Sequence, residues 1–112
     1  MKRIYHPGGS FVTGSDLADA VMLYAEALGN RQKTDIVDIP VVAEDGGRGR
    51  AQILIGAWSQ LVSVTSADGL SELIDIQTTD LLKDKVRAGS LSPALSWAGA
   101  PQGSPQFDEF DY

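Results

Sequence analysis

Two hydrophobic periods follow one another in this chain, and they constrain its fold more than any other feature. Leu17, Val21, Tyr24 and Leu28 recur at the i, i+4, i+7, i+11 spacing of one helical face, with Asp19 and Glu26 on the opposite side. The period then drops to two. Val37, Ile39 and Val41 alternate with Ile36, Asp38 and Pro40, as in a strand with one buried face. A helix with one apolar stripe and a strand with one apolar face each supply the cover the other needs.

The neighbouring segments extend this pattern. "AEDGGRGR" reads as a hairpin loop built on the turn pair Asp45-Gly46. "RAQILIGA" returns as a strand with Ala51, Ile53 and Ile55 on one face. Gly56 to Ser59 make a tight break in which Trp58 is expected to cap the end of the core, and "QLVSVT" is a third strand. Connections this short join antiparallel neighbours, so the spacing predicts a three-stranded antiparallel meander. Pro40 cannot donate to a ladder and argues for an edge strand or a strand's outer side. The first helix is expected to stop at Gly29 in the left-handed C′ position. A second helix covers roughly "DIQTTDLLKDKVRA", with Asp75 or Thr78 as its cap and Leu81, Leu82 and Val86 as its apolar stripe. A short strand, "KRIY", precedes the first helix.

The expected order is (β)-α-β-β-β-α, an α+β two-layer sandwich in which the meander packs on both helices. Residues 1–88 form one domain. From Gly89 the chain turns to Ser, Pro, Ala and Gly without periodicity, which reads as a flexible tail over residues 89–112.

Composition narrows the chemistry. The 112 residues contain no cysteine and one histidine, so thiolate sites, cysteine nucleophiles and two-histidine metal sites within one chain are excluded. Nine Lys and Arg against fifteen Asp and Glu give a net charge of −6, which repels phosphate and anionic lipid. "MKRIYHPGG" lacks the apolar core of a signal peptide, and no apolar run approaches a membrane span. The expected compartment is the cytoplasm.

"GSFVTGSD" has two glycines, Gly9 and Gly14, at the spacing of a phosphate-binding loop. Ser15 stands where that loop needs its lysine, and Asp16 would oppose the phosphates. A capping register accounts for more residues. Thr13 becomes N-cap, Asp16 becomes N3, and Val12 and Leu17 form a hydrophobic staple.

Few other residues suggest chemistry. His6, beside Pro7, reads as a surface or capping residue. Asp35 and Asp38 fall on opposite faces of a strand and cannot form a catalytic pair. Arg48 and Arg50 follow Glu44 and Asp45, which leaves their loop near neutral. No cofactor or metal is called for. The end of the chain is less bland. Trp97 lies in the tail, and "FDEFDY" sets Phe107, Phe110 and Tyr112 among Asp108, Glu109 and Asp111. An acidic-aromatic peptide behind a linker suits a basic pocket with an apolar slot.

These features point to a non-catalytic protein–protein interaction or adaptor module that binds partners through Trp97 and Phe107–Tyr112. An exposed meander edge also offers a route to a homodimer. Two other classes compete with this one. Helix–strand–strand–strand–helix resembles the order of the double-stranded-RNA-binding domain, which implies a nucleic-acid-associated protein. That family's basic cluster at the start of the second helix is replaced here by "DIQTTD". A small enzyme or ligand-binding domain would need a real pocket.

Overall fold

The computed structural model describes residues 1–66 and 71–99. Two helices and a five-stranded antiparallel sheet make an α+β fold. In chain order the elements are β1 (Lys2–His6), β2 (Gly9–Thr13), α1 (Ser15–Asn30), β3 (Thr34–Val42), β4 (Arg48–Gly56), β5 (Val62–Thr65) and α2 (Ile76–Gly99). The strands lie in the order β4-β3-β2-β1-β5.

The alternating faces are where the sequence places them. Val37 lies opposite Ile53, Ile39 opposite Ala51 and Val41 opposite Gly49, so these residues share one face. Ile4, Leu17, Val21, Ile39 and Ile55 are completely buried. α1 touches β1, β3, β4 and β5, so it lies in the trough of the sheet. α2 packs along α1 and adds Leu82 and the partly buried Val86 to the core.

The meander expectation is corrected at its third strand. β3 and β4 pair as a hairpin, but β5 pairs with β1 at the opposite edge of the sheet. Gly56 to Ser59 form a turn in which the Ser59 amide bonds the Gly56 carbonyl, leaving few residues for the crossing. Four strand spacings on a flat sheet come to about 19 Å, more than those residues span. The sheet is therefore coiled, and its twist brings the ends of β4 and β5 toward each other. A short connection implies adjacency only on a flat sheet. The five-strand order also departs from the three-strand meander of the RNA-binding layout.

The region before α1 is a β-hairpin rather than a single strand. Ile4 pairs with Phe11 and Lys2 with Thr13, so "GSFVT" is a strand and not the entry to a helix. Thr13 is buried, and its hydroxyl donates to the Pro40 carbonyl at 2.8 Å. It does not cap α1. The N-cap is Gly14, which makes no side-chain cap bond. The amide of Ser15 donates instead to Glu72 Oε1 at 3.0 Å, a cap supplied from 57 residues away.

Pro40 is also not on an edge. Its carbonyl faces β2, so its missing N–H faces β2 as well, at a seam where Val12 and Val42 form the ladder's one registered pair. α1 runs past Gly29 to Asn30. Gln32 takes the left-handed conformation (φ 57°), and the Lys33 amide closes back on the Leu28 carbonyl at 2.9 Å.

At α2 the expected cap is present. Asp75 accepts from the Thr78 amide at 3.1 Å and from its hydroxyl at 2.9 Å. The helical backbone continues beyond Ala88, the expected end, to Gly99.

Candidate functional site

The sheet's outer face carries apolar side chains without a cover among the described residues. Ile36 lies opposite Leu54, and they are 60% and 66% exposed. Tyr5 lies opposite Val62, and both are exposed too. All four project away from the helices because strand alternation puts them out of phase with Ile4, Val37 and Ile55.

At one end of this face the turn after β4 holds Trp58, which is 89% exposed. Trp58 therefore does not cap the core, as its position between two strands suggests. Three hydrogen bonds fix the turn that presents it. The Gly56 amide donates to Ser59 Oγ at 2.8 Å, the Ser59 amide to the Gly56 carbonyl at 3.0 Å, and the Ala57 amide to the Lys33 carbonyl at 3.0 Å.

Trp58 also lines a cleft of about 400 Å³, together with Leu54, Ile55, Leu61, His6 and Pro7. The cleft lies where β4 and the start of β5 approach across the coiled sheet. The wall contains no carboxylate, in a chain with fifteen acidic residues. Arg31 and Lys33 are exposed in the segment that leads into Thr34 of its lining and, among the described residues, pair with no carboxylate. His6 Nδ1 accepts from the Gly8 amide at 3.1 Å, so one of its nitrogens holds the β1–β2 turn. The site offers an apolar slot with two cations in the segment that leads into its wall.

A second polar cluster joins three elements. Tyr24 of α1 donates to Asp35 Oδ2 of β3 at 2.5 Å, and Lys85 of α2 donates to the same oxygen at 3.3 Å. Lys85 Nζ also sits 5.7 Å from the centre of the Tyr24 ring. Burial, then the hydrogen bond to Asp35 and its charge, push the Tyr24 hydroxyl up to about 12. The Tyr24 hydrogen bond, more than Lys85, holds the Asp35 carboxyl below its ordinary range. A phenol this reluctant to ionise is a poor proton donor near neutrality, so the cluster acts as a clamp between the layers.

Its pH dependence follows in sign from these shifts. The raised Tyr24 group stabilises the fold fully below pH 10, and that contribution is lost as pH rises toward about 12. The lowered Asp35 group acts in reverse, and its contribution is lost as pH falls below about 4. Tyr24→Phe should cost about 1–2 kcal/mol near pH 8. In urea titrations between pH 9 and 12 the gap between parent and variant should then close. A gap of constant size would show that Tyr24 does not titrate with folding.

The other sequence candidates are dispersed. Asp38 faces outward and pairs with Arg50 at 2.7 Å, on the opposite side of β3 from Asp35. Arg48 and Arg50 lie on the outer face of β4, whereas Lys83, Lys85 and Arg87 belong to α2, with Arg87 paired to Asp84. Gly9 is at the β1–β2 turn and Gly14 at the start of α1, with strand β2 between them where a phosphate loop would be. Trp97 belongs to the backbone of α2, and Phe107, Asp108, Glu109, Phe110, Asp111 and Tyr112 lie outside the described residues.

Among the described residues, no three His, Cys, Asp or Glu side chains are grouped so as to hold a metal ion. None of the described helices is long and apolar enough to cross a membrane. No protein-family model, curated protein or solved structure matches the chain. Trp58 as a site residue was not legible in the sequence. The available signal was a large aromatic in a four-residue turn bounded by Gly56 and Ser59, which leaves an indole little core to reach.

Proposed function

We propose that this chain is a non-catalytic protein-interaction module of the cytoplasm. It docks partner proteins at the Trp58 end of its open sheet face and presents its acidic-aromatic terminus as a docking peptide. The observation that carries this reading is Trp58 itself. It is a tryptophan 89% exposed on a hydrogen-bonded turn, lining an apolar cleft and beside Leu54 and Ile36. Exposed aromatics beside a preformed apolar pocket are the usual anchors of protein interfaces. In this reading a second copy adds to the sheet at the free edge of β4, which runs nine residues without proline.

The test is a photoreactive phenylalanine analogue placed at position 58, and in a second sample at exposed Glu26 on α1, in the full chain in cells. Position 58 should give discrete protein adducts that Leu54→Asp weakens, and position 26 should not. The same diffuse adducts from both positions would sink the proposal.

A further inference from the structure

We propose that the Trp58 cleft is the receptor for this chain's own terminus, residues 107–112, bound within the same molecule. The inference deepens the interaction-module reading and rests on it. Three observations select this occupant.

The first is charge. The chain has a net charge of −6, yet no carboxylate lines the cleft, and Arg31 and Lys33, in the segment that leads into Thr34 of its lining, have no acidic partner among the described residues. The segment "FDEFDY" carries Asp108, Glu109 and Asp111 between three aromatic rings. Its rings match the apolar slot and its acids match the cations.

The second is direction. Ile76, Thr79 and Asp80 lie by Asp16 at the start of α1, Lys85 lies over Tyr24, and Gly89 lies against the Arg31 guanidinium. α2 thus runs parallel to α1 and leaves the domain at the end that holds the cleft. The Lys33 carbonyl, two residues from Arg31, is bonded to the Ala57 amide next to Trp58.

The third is reach. From Gly89 to Gly99 the helix rises about 15 Å beyond Arg31. Residues 100–106 extend up to about 25 Å. The chain can fold back over that distance and still place Phe107 at the cleft. Docked in this way, the terminus covers the surface that partners would use, so a partner must displace it.

The experiment uses the full chain carrying Trp97→Phe, which leaves Trp58 as its one tryptophan. Its emission and acrylamide quenching are compared with those of the same chain carrying Phe107→Ala and Phe110→Ala in addition. Neither added substitution touches the described core. The expected result is a red shift and increased quenching in the triple variant. The difference should be unchanged by serial dilution and reproduced in part by Lys33→Glu. Identical emission and quenching would overturn the assignment. Cross-links from position 58 would then still stand for the interaction surface, so the two readings fail separately. A difference that vanishes on dilution would also overturn it, placing the tail of a second copy on the cleft instead.

Discussion

Gly14→Ala is expected to destabilise the fold by about 4 kcal/mol or more, which puts it among the most damaging single substitutions. The backbone of Gly14 (φ −63°, ψ 153°) is open to any residue, so conformation alone predicts a small gain from the stiffer unfolded chain. Space decides the other way. An alanine Cβ would lie 1.8 Å from the Leu73 carbonyl oxygen and 2.9 Å from its carbon. Both are backbone atoms, so no rotamer change relieves the clash. Relief requires residues 71–75 to lift away, which withdraws buried Leu73 and the Glu72 bond to the Ser15 amide. Gly29→Ala is the control, since its Cβ would meet nothing nearer than the Gly56 carbonyl at 3.8 Å. That variant should gain up to about 1 kcal/mol. Thermal melts of the two variants should move in opposite directions. A Gly14→Ala melt close to the parent would mean that the 71–75 segment does not sit on the cap.

The same glycine shows where sequence reading succeeds and where it stops. The stripe of α1 and the alternating faces of β3 and β4 were legible because a period is a local property and the core selects it directly. Asp75 was legible as a cap because its partner, Thr78, is three residues away. Thr13 matched a capping pattern equally well, but the carbonyl that binds its hydroxyl belongs to Pro40, 27 residues on. A capping box and a strand end that closes on a distant carbonyl use the same residues. β2 was obscured because Phe11 and Val12 are adjacent rather than alternating, one on each face of the strand, Val12 buried and Phe11 partly so. The position of β5 depended on the coil of the whole sheet, which no short window contains. The cleft at Trp58 follows from that coil, so the candidate site was unreadable for the same reason, although the acidic terminus proposed to fill it was plain in the sequence.

Gly56→Ala should cost about 3–5 kcal/mol, and unlike Gly14→Ala it should damage the candidate site directly. Two effects add at this position. The φ of +134° is a conformation that side chains other than glycine's rarely adopt, and an added Cβ would lie 2.2 Å from the Lys33 carbonyl oxygen and 2.8 Å from Thr34 Cα. The Lys33 carbonyl also accepts the Ala57 amide, and the Gly56 amide holds Ser59 Oγ. Pushing Lys33 and Thr34 aside therefore unties the turn that presents Trp58 and moves Thr34, part of the wall of the cleft. Ser59→Ala removes one of these bonds without the clash and should cost only about 1 kcal/mol. Equilibrium urea titrations measure both costs. At a temperature where Gly56→Ala remains folded, hydrogen exchange should show the Ala57 amide losing protection while the β1–β2 pairing keeps its own. Strand β4 ends at a glycine because the chain must pass within contact of β3 there before it turns away. A melt and an Ala57 exchange rate unchanged by the substitution would mean that this approach is not what places the indole in solvent.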